Sequence, residues 1–548
     1  MSDKKAKIMK TDDLLFSGGP ILTMAESMEA EAVLLSGGYI RRVGSLSDCR
    51  HIAGQFCQEI DLAGRCLMPG FVDPHAHMLM FAQYSTMADL GQPHIKTIDD
   101  LLDELKAHAQ NLPADAAIRG FGYNQNNLVE GRHPTAIELD RVASNRPVYI
   151  LQTSGHSGAA NSYLLKQAGV RPNTPDPEGG ELERDEQGRP NGVMKDNALK
   201  FVVGEGVDIG NHGPNFHIPE NLEKFVSMLD AASKRYLAAG ITTSVDVQVT
   251  RREMEAYVAA RDQGVLGNRV VMMYLSSYLD DLIHLGLKGT LGDAFLSFGP
   301  LKLYADGSTT SGTAYFSAPY LTDPDNYGFL FHTPEELTKL IVKAHNYGLQ
   351  TATHAIGDAA IECVIDAIAA AQGSLERRDM RHRIEHCYFP SEEHCVRMQS
   401  LGIWPVVQPR FIYELGDSLV TLLGEDRARF MKPLGRFKQY GLPLVLSSDS
   451  PVADYRPLPA IASALNRATA QGNILGAEFR ISIEDALKAY TINAAAAVHR
   501  EKDLGSIEAG KWADFVVLDQ NPLQTPQQEI ENIQVLETWV AGRRVFSE

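Results

Sequence analysis

The sequence predicts an α/β fold: a (β/α)8 TIM-like barrel, with a small composite β-sandwich domain from both termini and a large insertion after barrel strand 1. Three observations predict it. Across the middle of the chain, short apolar or β-branched runs alternate with segments of helical periodicity, which is the pattern of βα units. Eight such runs can be counted, the number that a closed parallel barrel requires. The two ends have another texture, brief apolar runs punctuated by glycines, as in short strands joined by turns.

At the N-terminal end the runs are Leu14-Leu15-Phe16, Pro20-Ile21-Leu22-Thr23, Ala32-Val33-Leu34-Leu35 and Tyr39-Ile40, with turns at Gly18-Gly19 and Gly37-Gly38. At the C-terminal end they are Ala513 to Leu518, Gln534 to Val540 and Val545-Phe546. Neither end carries enough apolar surface for a core of its own. Joined, residues 1–66 and 505–548 make one β-domain; two separate appendages are the other reading.

The barrel takes residues 67–83 and 216–504. Its first strand is the run Cys66-Leu67-Met68 continuing through Pro69-Gly70-Phe71-Val72-Asp73-Pro74-His75-Ala76-His77. The others lie at residues 240–246, 269–275, 301–306, 350–354, 383–386, 403–408 and 443–449, with helical patterns at 220–239, 334–347, 358–371 and 391–401. The gap between the first two strands is far too long for one crossover, so residues 84–215 form an insertion with its own structure. Within it, 98–110 reads as a helix, Pro147-Val148-Tyr149-Ile150-Leu151 as a strand, and residues 172–192 as turns.

Bulk properties narrow the function. Of 548 residues, 44% are hydrophobic and 22% charged, as in an ordinary globular enzyme. The net charge is −18, 51 basic residues against 69 acidic, which disfavours nucleic acid or an anionic membrane as the main partner. The charged start shows no signal peptide, and no apolar run is long enough to span a bilayer. None of the six cysteines forms a CxxC pair, which argues against a disulfide frame or a cysteine-based zinc site and for a reducing, cytoplasmic location.

The chemistry is expected where barrel enzymes keep it, at the C-terminal ends of the strands. His75 and His77 stand two apart on a strand, so they project to one face and can chelate a cation such as zinc. Two packed histidines are the alternative. The fourth strand carries Lys302, the fifth His354, the sixth His386 and the eighth Asp449. Five strands converging on one mouth favour a shared metal site. A buried ammonium beside a cation is unfavourable by desolvation and by like charge. Lys302 therefore points elsewhere or pairs with Asp306, or else CO2 has carboxylated it into an anionic ligand. Asp449, in Ser447-Ser448-Asp449-Ser450-Pro451, can ligate metal and accept a proton; an Asx turn before Pro451 is the alternative. His156, and Tyr123 and Asn124 in Tyr123-Asn124-Gln125-Asn126-Asn127, are candidates for lining a pocket. So are Arg410, Phe411 and Tyr413 after strand seven, with a packed or solvated loop as the other reading. Cys387 reads as a buried, inert thiol.

Taken in order, several motifs resemble the metal-dependent amidohydrolase superfamily, and within it the amidohydrolase family 3 branch that includes N-substituted formamide deformylases. They are the His75-Ala76-His77 strand, Gly155-His156-Ser157 with Asn161-Ser162, and Thr174 to Gly180. They continue with Lys302 followed by Asp306-Gly307-Ser308, then His354-Ala355-Ile356-Gly357-Asp358, Arg383-Ile384-Glu385-His386, Ser448-Asp449 and the tail Gly505 to Asp514. The resemblance implies one or two divalent metals, usually zinc. His75, His77 and Asp449 would hold one, His354 and His386 the other, and Lys302 as a carbamate would bridge them. Asp196 stands where relatives more often carry Glu, and a surface charge is the expected reading.

The function expected on this basis is metal-dependent hydrolysis of a non-peptide carbon–nitrogen bond in a small amide. A metal-activated water would attack, with Asp449 as general base and then acid. Ester or lactone hydrolysis on the same site is the enzymatic alternative, and a metal-binding or regulatory protein without turnover is the alternative of another class. A homodimer is compatible with the resemblance, although no stretch marks an interface.

Overall fold

The computed structural model describes residues 13–203, 209–215, 217–289 and 291–548. At its centre is an all-parallel eight-stranded sheet. Its strands are β1 (Phe71–Ala76), β2 (Ile241–Val249), β3 (Arg269–Leu275), β4 (Leu296–Tyr304), β5 (Thr351–Ala355), β6 (Arg383–His386), β7 (Trp404–Val407) and β8 (Val445–Leu446), neighbours in that order. Every residue of β1, β2, β3, β5 and β6 is buried, as expected of parallel strands covered on both faces. The helices between them start and stop where the sequence signals. Pro334–Tyr347 opens with a capping box between Thr333 and Glu336, has proline in its first turn, and ends on left-handed Gly348.

β8 is shorter than the run 443–449 suggests. Its ladder stops at Leu446, and the next four residues stitch the sheet into a barrel. The Asp73 carboxylate accepts from the Ser448 amide at 3.1 Å and the Ser448 hydroxyl at 2.5 Å. The Asp449 amide donates to the His75 carbonyl at 2.8 Å, and the His77 amide to the Ser450 carbonyl at 2.7 Å.

The run Cys66-Leu67-Met68 is not part of β1. Cys66–Pro69 is a strand of another sheet, separated from β1 by Gly70 alone, where a Cβ would overlap the Thr242 side chain. That six-stranded sheet mixes the two termini: Cys66–Pro69 lies between Phe515–Leu518, antiparallel, and Ile21–Leu22, parallel. A four-stranded sheet of N-terminal strands faces it. Phe16, Val33, Leu67, Phe515 and Trp539 fill the space between, with the Phe16 and Trp539 rings edge to face at 5.1 Å.

The insertion folds around a mixed six-stranded sheet that includes Ile118–Tyr123, Val148–Gln152, Ser157–Ala160 and Pro190–Asp196. Tyr149, Leu151 and Met194 of this sheet pack in one apolar cluster with Tyr388, after β6, and Phe411, in the helix Arg410–Leu423 after β7. The sheet is thereby seated over the barrel mouth. No described helix is long and apolar enough to cross a membrane.

One ion pair ties barrel to β-domain. Arg269, at the start of β3, donates from Nε at 2.7 Å and Nη2 at 2.9 Å to the two oxygens of Asp514, and both side chains are buried. The Trp512 ring covers the guanidinium at 4.5 Å. Removing one partner strands a buried charge. Asp514→Ala is expected to lower the unfolding free energy by about 3–5 kcal/mol, read from denaturant midpoints; an unchanged midpoint would show the pair to be dispensable.

Candidate metal centre

The seam places His75, His77 and Asp449 together. Nε2 of His75 and Nε2 of His77 both lie 3.3 Å from Asp449 Oδ1. Donor atoms of His75, His386 and Asp449 fall within 4.8 Å of one another. The His386 ring lies 5.0 Å from that of His75 and 4.4 Å from that of His354. Lys302, at the end of β4, is fully buried; its Nζ has no hydrogen-bond partner and sits 4.5 Å from the centre of the Tyr304 ring.

The rings are held by groups behind them. Nδ1 of His75 pairs with Glu385, whose carboxylate accepts from Arg383 Nε at 2.7 Å and Nη2 at 2.8 Å. Burial pushes the Glu385 carboxyl up, but the Arg383 guanidinium and His75 outweigh it and hold it at about 2. Nδ1 of His386 lies 2.9 Å from the Gln408 amide oxygen. Nε2 of His354 lies 3.0 Å from the Gly307 carbonyl. In each ring one nitrogen is thus committed to an acceptor, which leaves the other as the electron-pair donor of the neutral imidazole.

Electrostatics favour that neutral form. Burial lowers His77 to about 4, against the pull of Asp449, and takes His354 and His386 well below the usual histidine range. Burial raises Asp449, yet its contacts with His75 and His77 dominate and hold it well below the usual carboxylate range. His386 and Asp449 also have left-handed backbones, φ 71° and 60°, a cost of order 1–3 kcal/mol each that clusters at functional sites.

A cation fits these residues. His75 Nε2 is buried without a hydrogen-bond partner although a carboxylate oxygen lies 3.3 Å away, and neutral imidazoles with one carboxylate are the donor set of zinc and its neighbours.

Lys302 does not pair with Asp306. The Asp306 oxygens are taken by the amides of Tyr315, Ile356 and Gly357, and burial pushes its carboxyl to about 7. Burial pulls Lys302 down to about 8, against Glu385 and Asp449.

A cavity opens from this cluster, lined by His77, Lys302, His354, His386 and Asp449 on the barrel side and by Ser154 and His156 of the insertion. Nδ1 of His156 lies 2.6 Å from Asp196 Oδ1. Asp196 is therefore no surface charge: it is fully buried beneath the cavity wall. Of the other residues expected to line a pocket, Phe411 lines this cavity, and Tyr123, Asn124, Arg410 and Tyr413 do not. The Tyr123 hydroxyl bonds His133 at 2.8 Å inside the insertion. Asn124 bonds Ser418 at 3.1 Å and lines an outer cleft. Arg410 pairs with Glu414 at 3.1 Å and lies 4.0 Å from the Tyr413 ring centre, while its neighbour Phe411 lines the cavity. Cys387 is buried, and burial raises its thiol well above the usual range.

Sequence reasoning missed Asp73, Glu385, Arg383, Gln408 and Lys432. A signal for Arg383 and Glu385 was present: two opposite charges spaced by two share one face of a strand buried on both. Lys432, in a loop between helices, carried none.

Residues 58–546 match the amidohydrolase family. The chain is 30% identical over 540 residues to the N-substituted formamide deformylase of Arthrobacter pascens, 97% of each chain. It is 32% identical over 552 residues to Protein LONG AFTER FAR-RED 3 of Arabidopsis thaliana, 97% of this chain and 91% of that one. An uncharacterized metal-dependent hydrolase from Pyrococcus horikoshii has the same fold, with a TM-score of 0.75 at 27% identity over 94% of this chain and 99% of that one. Barrel, histidine cluster and near-complete sequence match agree: this chain belongs to the amidohydrolase family.

Proposed function

We propose that this chain hydrolyses a non-peptide carbon–nitrogen bond in a small amide, at a centre of one or two divalent metals, zinc by preference. The observation that carries the reading is the convergence of His75, His386 and Asp449 donor atoms within 4.8 Å, beside the unpartnered Nζ of Lys302. The likeness to a formamide deformylase supports an amide as substrate. His75, His77, His354, His386 and Asp449 would hold the metal. A bound divalent metal supplies Lewis acidity, making a water acidic near neutral pH and polarising a carbonyl.

The residues have distinct tasks. Asp449, kept anionic by its histidine neighbours, would accept a proton from the attacking water on its carboxylate and return it to the leaving nitrogen. Lys302, with its pKa lowered to about 8 by burial, has a share of neutral amine at neutral pH. Its nitrogen would add to CO2, with loss of a proton, and the carbamate would join the ligand set as an anion. His156, oriented by Asp196, would contact the substrate across the cavity. The six unpaired cysteines suit a reducing, cytoplasmic setting.

Three measurements test this. Asp449→Asn is expected to lower kcat on an amide panel by about 10²- to 10⁴-fold while elemental analysis still finds metal; unchanged turnover would remove Asp449 from the chemistry. Stripping the metal with a chelator is expected to abolish turnover and lower the melting temperature. Zinc added back at roughly 100 times its dissociation constant would return about 2.7 kcal/mol; a melting curve indifferent to chelator and zinc would sink the metal reading. Protein equilibrated with ¹³C-bicarbonate is expected to give one carbamate ¹³C resonance that Lys302→Ala lacks. A spectrum without that resonance in the wild type would leave Lys302 an amine.

A further inference from the structure

Lys432 is a fully buried lysine to which the proposed chemistry gives no task. It sits in a loop, with a left-handed backbone at φ 49°. Its backbone is pinned on both sides. Its amide donates to the Tyr388 carbonyl at 2.7 Å, and its carbonyl accepts from Arg467 at 2.9 Å. Its Nζ lies 3.7 Å from the centre of the Tyr388 ring and 4.8 Å from that of Phe411, two aromatic rings of the cavity wall. It donates one hydrogen bond, at 2.7 Å, to the amide oxygen of Gln408.

Gln408 is the residue behind His386. Its oxygen lies 2.9 Å from His386 Nδ1, and its nitrogen donates to the Ser447 hydroxyl at 2.9 Å. With His386 alone, either orientation of the amide could be satisfied. The oxygen would accept from a protonated Nδ1, or the NH2 group would donate to an unprotonated one, and a hydroxyl such as Ser447 both accepts and donates. Two long contacts, from the Gln408 NH2 group to the Val406 carbonyl at 3.5 Å and from the Ser447 hydroxyl to the Val407 carbonyl at 3.4 Å, favour the orientation seen only weakly; the 2.7 Å bond from Lys432 fixes it. The place of Nζ against the faces of the Tyr388 and Phe411 rings favours the ammonium form. An ammonium has hydrogens and no lone pair, so turning the Gln408 NH2 group toward it would set donor against donor in a dry interior, and an unsatisfied buried donor costs about 1–3 kcal/mol.

We propose that Lys432, acting through Gln408, selects the His386 tautomer protonated at Nδ1, and so leaves Nε2 as the nitrogen of this ring with an electron pair free for a metal. Lys432 is a positioning residue: the hydrogen bonds in question run from Nζ to Gln408 and from Gln408 to His386. This inference rests on the metal-centre reading of His386.

The test uses the full chain, Zn²⁺ as the only added ligand, and two readouts besides activity. Zn²⁺ affinity of chelator-stripped protein is measured in competition with a chromophoric chelator. The His386 tautomer is read by ¹⁵N NMR of histidine-labelled, metal-free protein, its signals assigned by their loss in His386→Ala. Lys432→Met is expected to weaken Zn²⁺ binding by about 10-fold or more, the scale seen for groups that orient metal-binding histidines. Lys432→Arg, which keeps a cationic donor, is expected to recover most of that loss. Wild-type His386 is expected to show a protonated Nδ1 and an unprotonated Nε2, and Lys432→Met a shift toward the other tautomer. Unchanged Zn²⁺ affinity in folded Lys432→Met overturns the proposal. So does a wild-type His386 protonated at Nε2, which decides the matter if Lys432→Met does not fold. Zn²⁺ affinity unaffected by His386→Ala would instead overturn the reading of the centre itself, and this inference with it.

Discussion

The seam between β8 and β1 is the constraint on which the rest depends. A barrel of eight parallel strands has one junction where the last strand meets the first, and here the strand arriving is two residues long. Side-chain and backbone bonds complete what that strand leaves undone. The Asp73 carboxylate grips Ser448, and the backbones of His75 and His77 bond those of Asp449 and Ser450. These same bonds set Asp449 Oδ1 at 3.3 Å from two histidine nitrogens. Closing the fold and assembling the centre are therefore one event: residues 75 and 449 are joined by the hydrogen bond that shuts the barrel.

Burial then sets the chemistry of the rings. In a dry interior the charged form of an imidazole is penalised, so His77, His354 and His386 stay neutral and keep an electron pair to donate. The fixed charges around them are arranged in compensated groups. Glu385 is matched by Arg383 directly behind His75, and the Asp306 carboxyl is met by three backbone amides, two of them just after the C-terminal end of the His354 strand. Gln408, uncharged, relays Lys432 to His386. Buried polar groups of this kind cost stability unless every partner is present. That requirement explains the density of hydrogen bonds behind the histidine rings and the close approach at Gly357, where a Cβ would overlap the Tyr315 carbonyl.

Much of this was legible in the chain. All eight barrel runs correspond to strands in the sheet, and residues 269–275 and 383–386 match their strands end to end. The helical patterns at 98–110 and 334–347 correspond to the helices Ile98–Ala109 and Pro334–Tyr347, each of which opens with a capping box. Strand-end polar residues pointed to His75, His77, Lys302, His354, His386 and Asp449, which all line or adjoin one cavity. The misjudgements share a cause. Asp196 reads as a surface charge because it departs from the Glu that relatives more often carry there, and only the fold brings His156 against it. The Cys66 to Met68 run looked like the start of the barrel because a buried apolar strand reads the same in either sheet.

By itself the sequence determined what is local or periodic. Strand and helix positions, the two-residue spacing of His75 and His77 at the end of one strand, and the count of βα units all follow from side-chain periodicity and backbone preference. Tertiary structure alone decided which distant groups meet: Asp73 with Ser448, His156 with Asp196, Lys432 with Gln408 and His386. The physical reason is that a hydrogen bond between residues tens or hundreds of positions apart leaves no periodic trace in the chain. Its partners become neighbours only when burial of the intervening apolar faces has brought their strands and loops together.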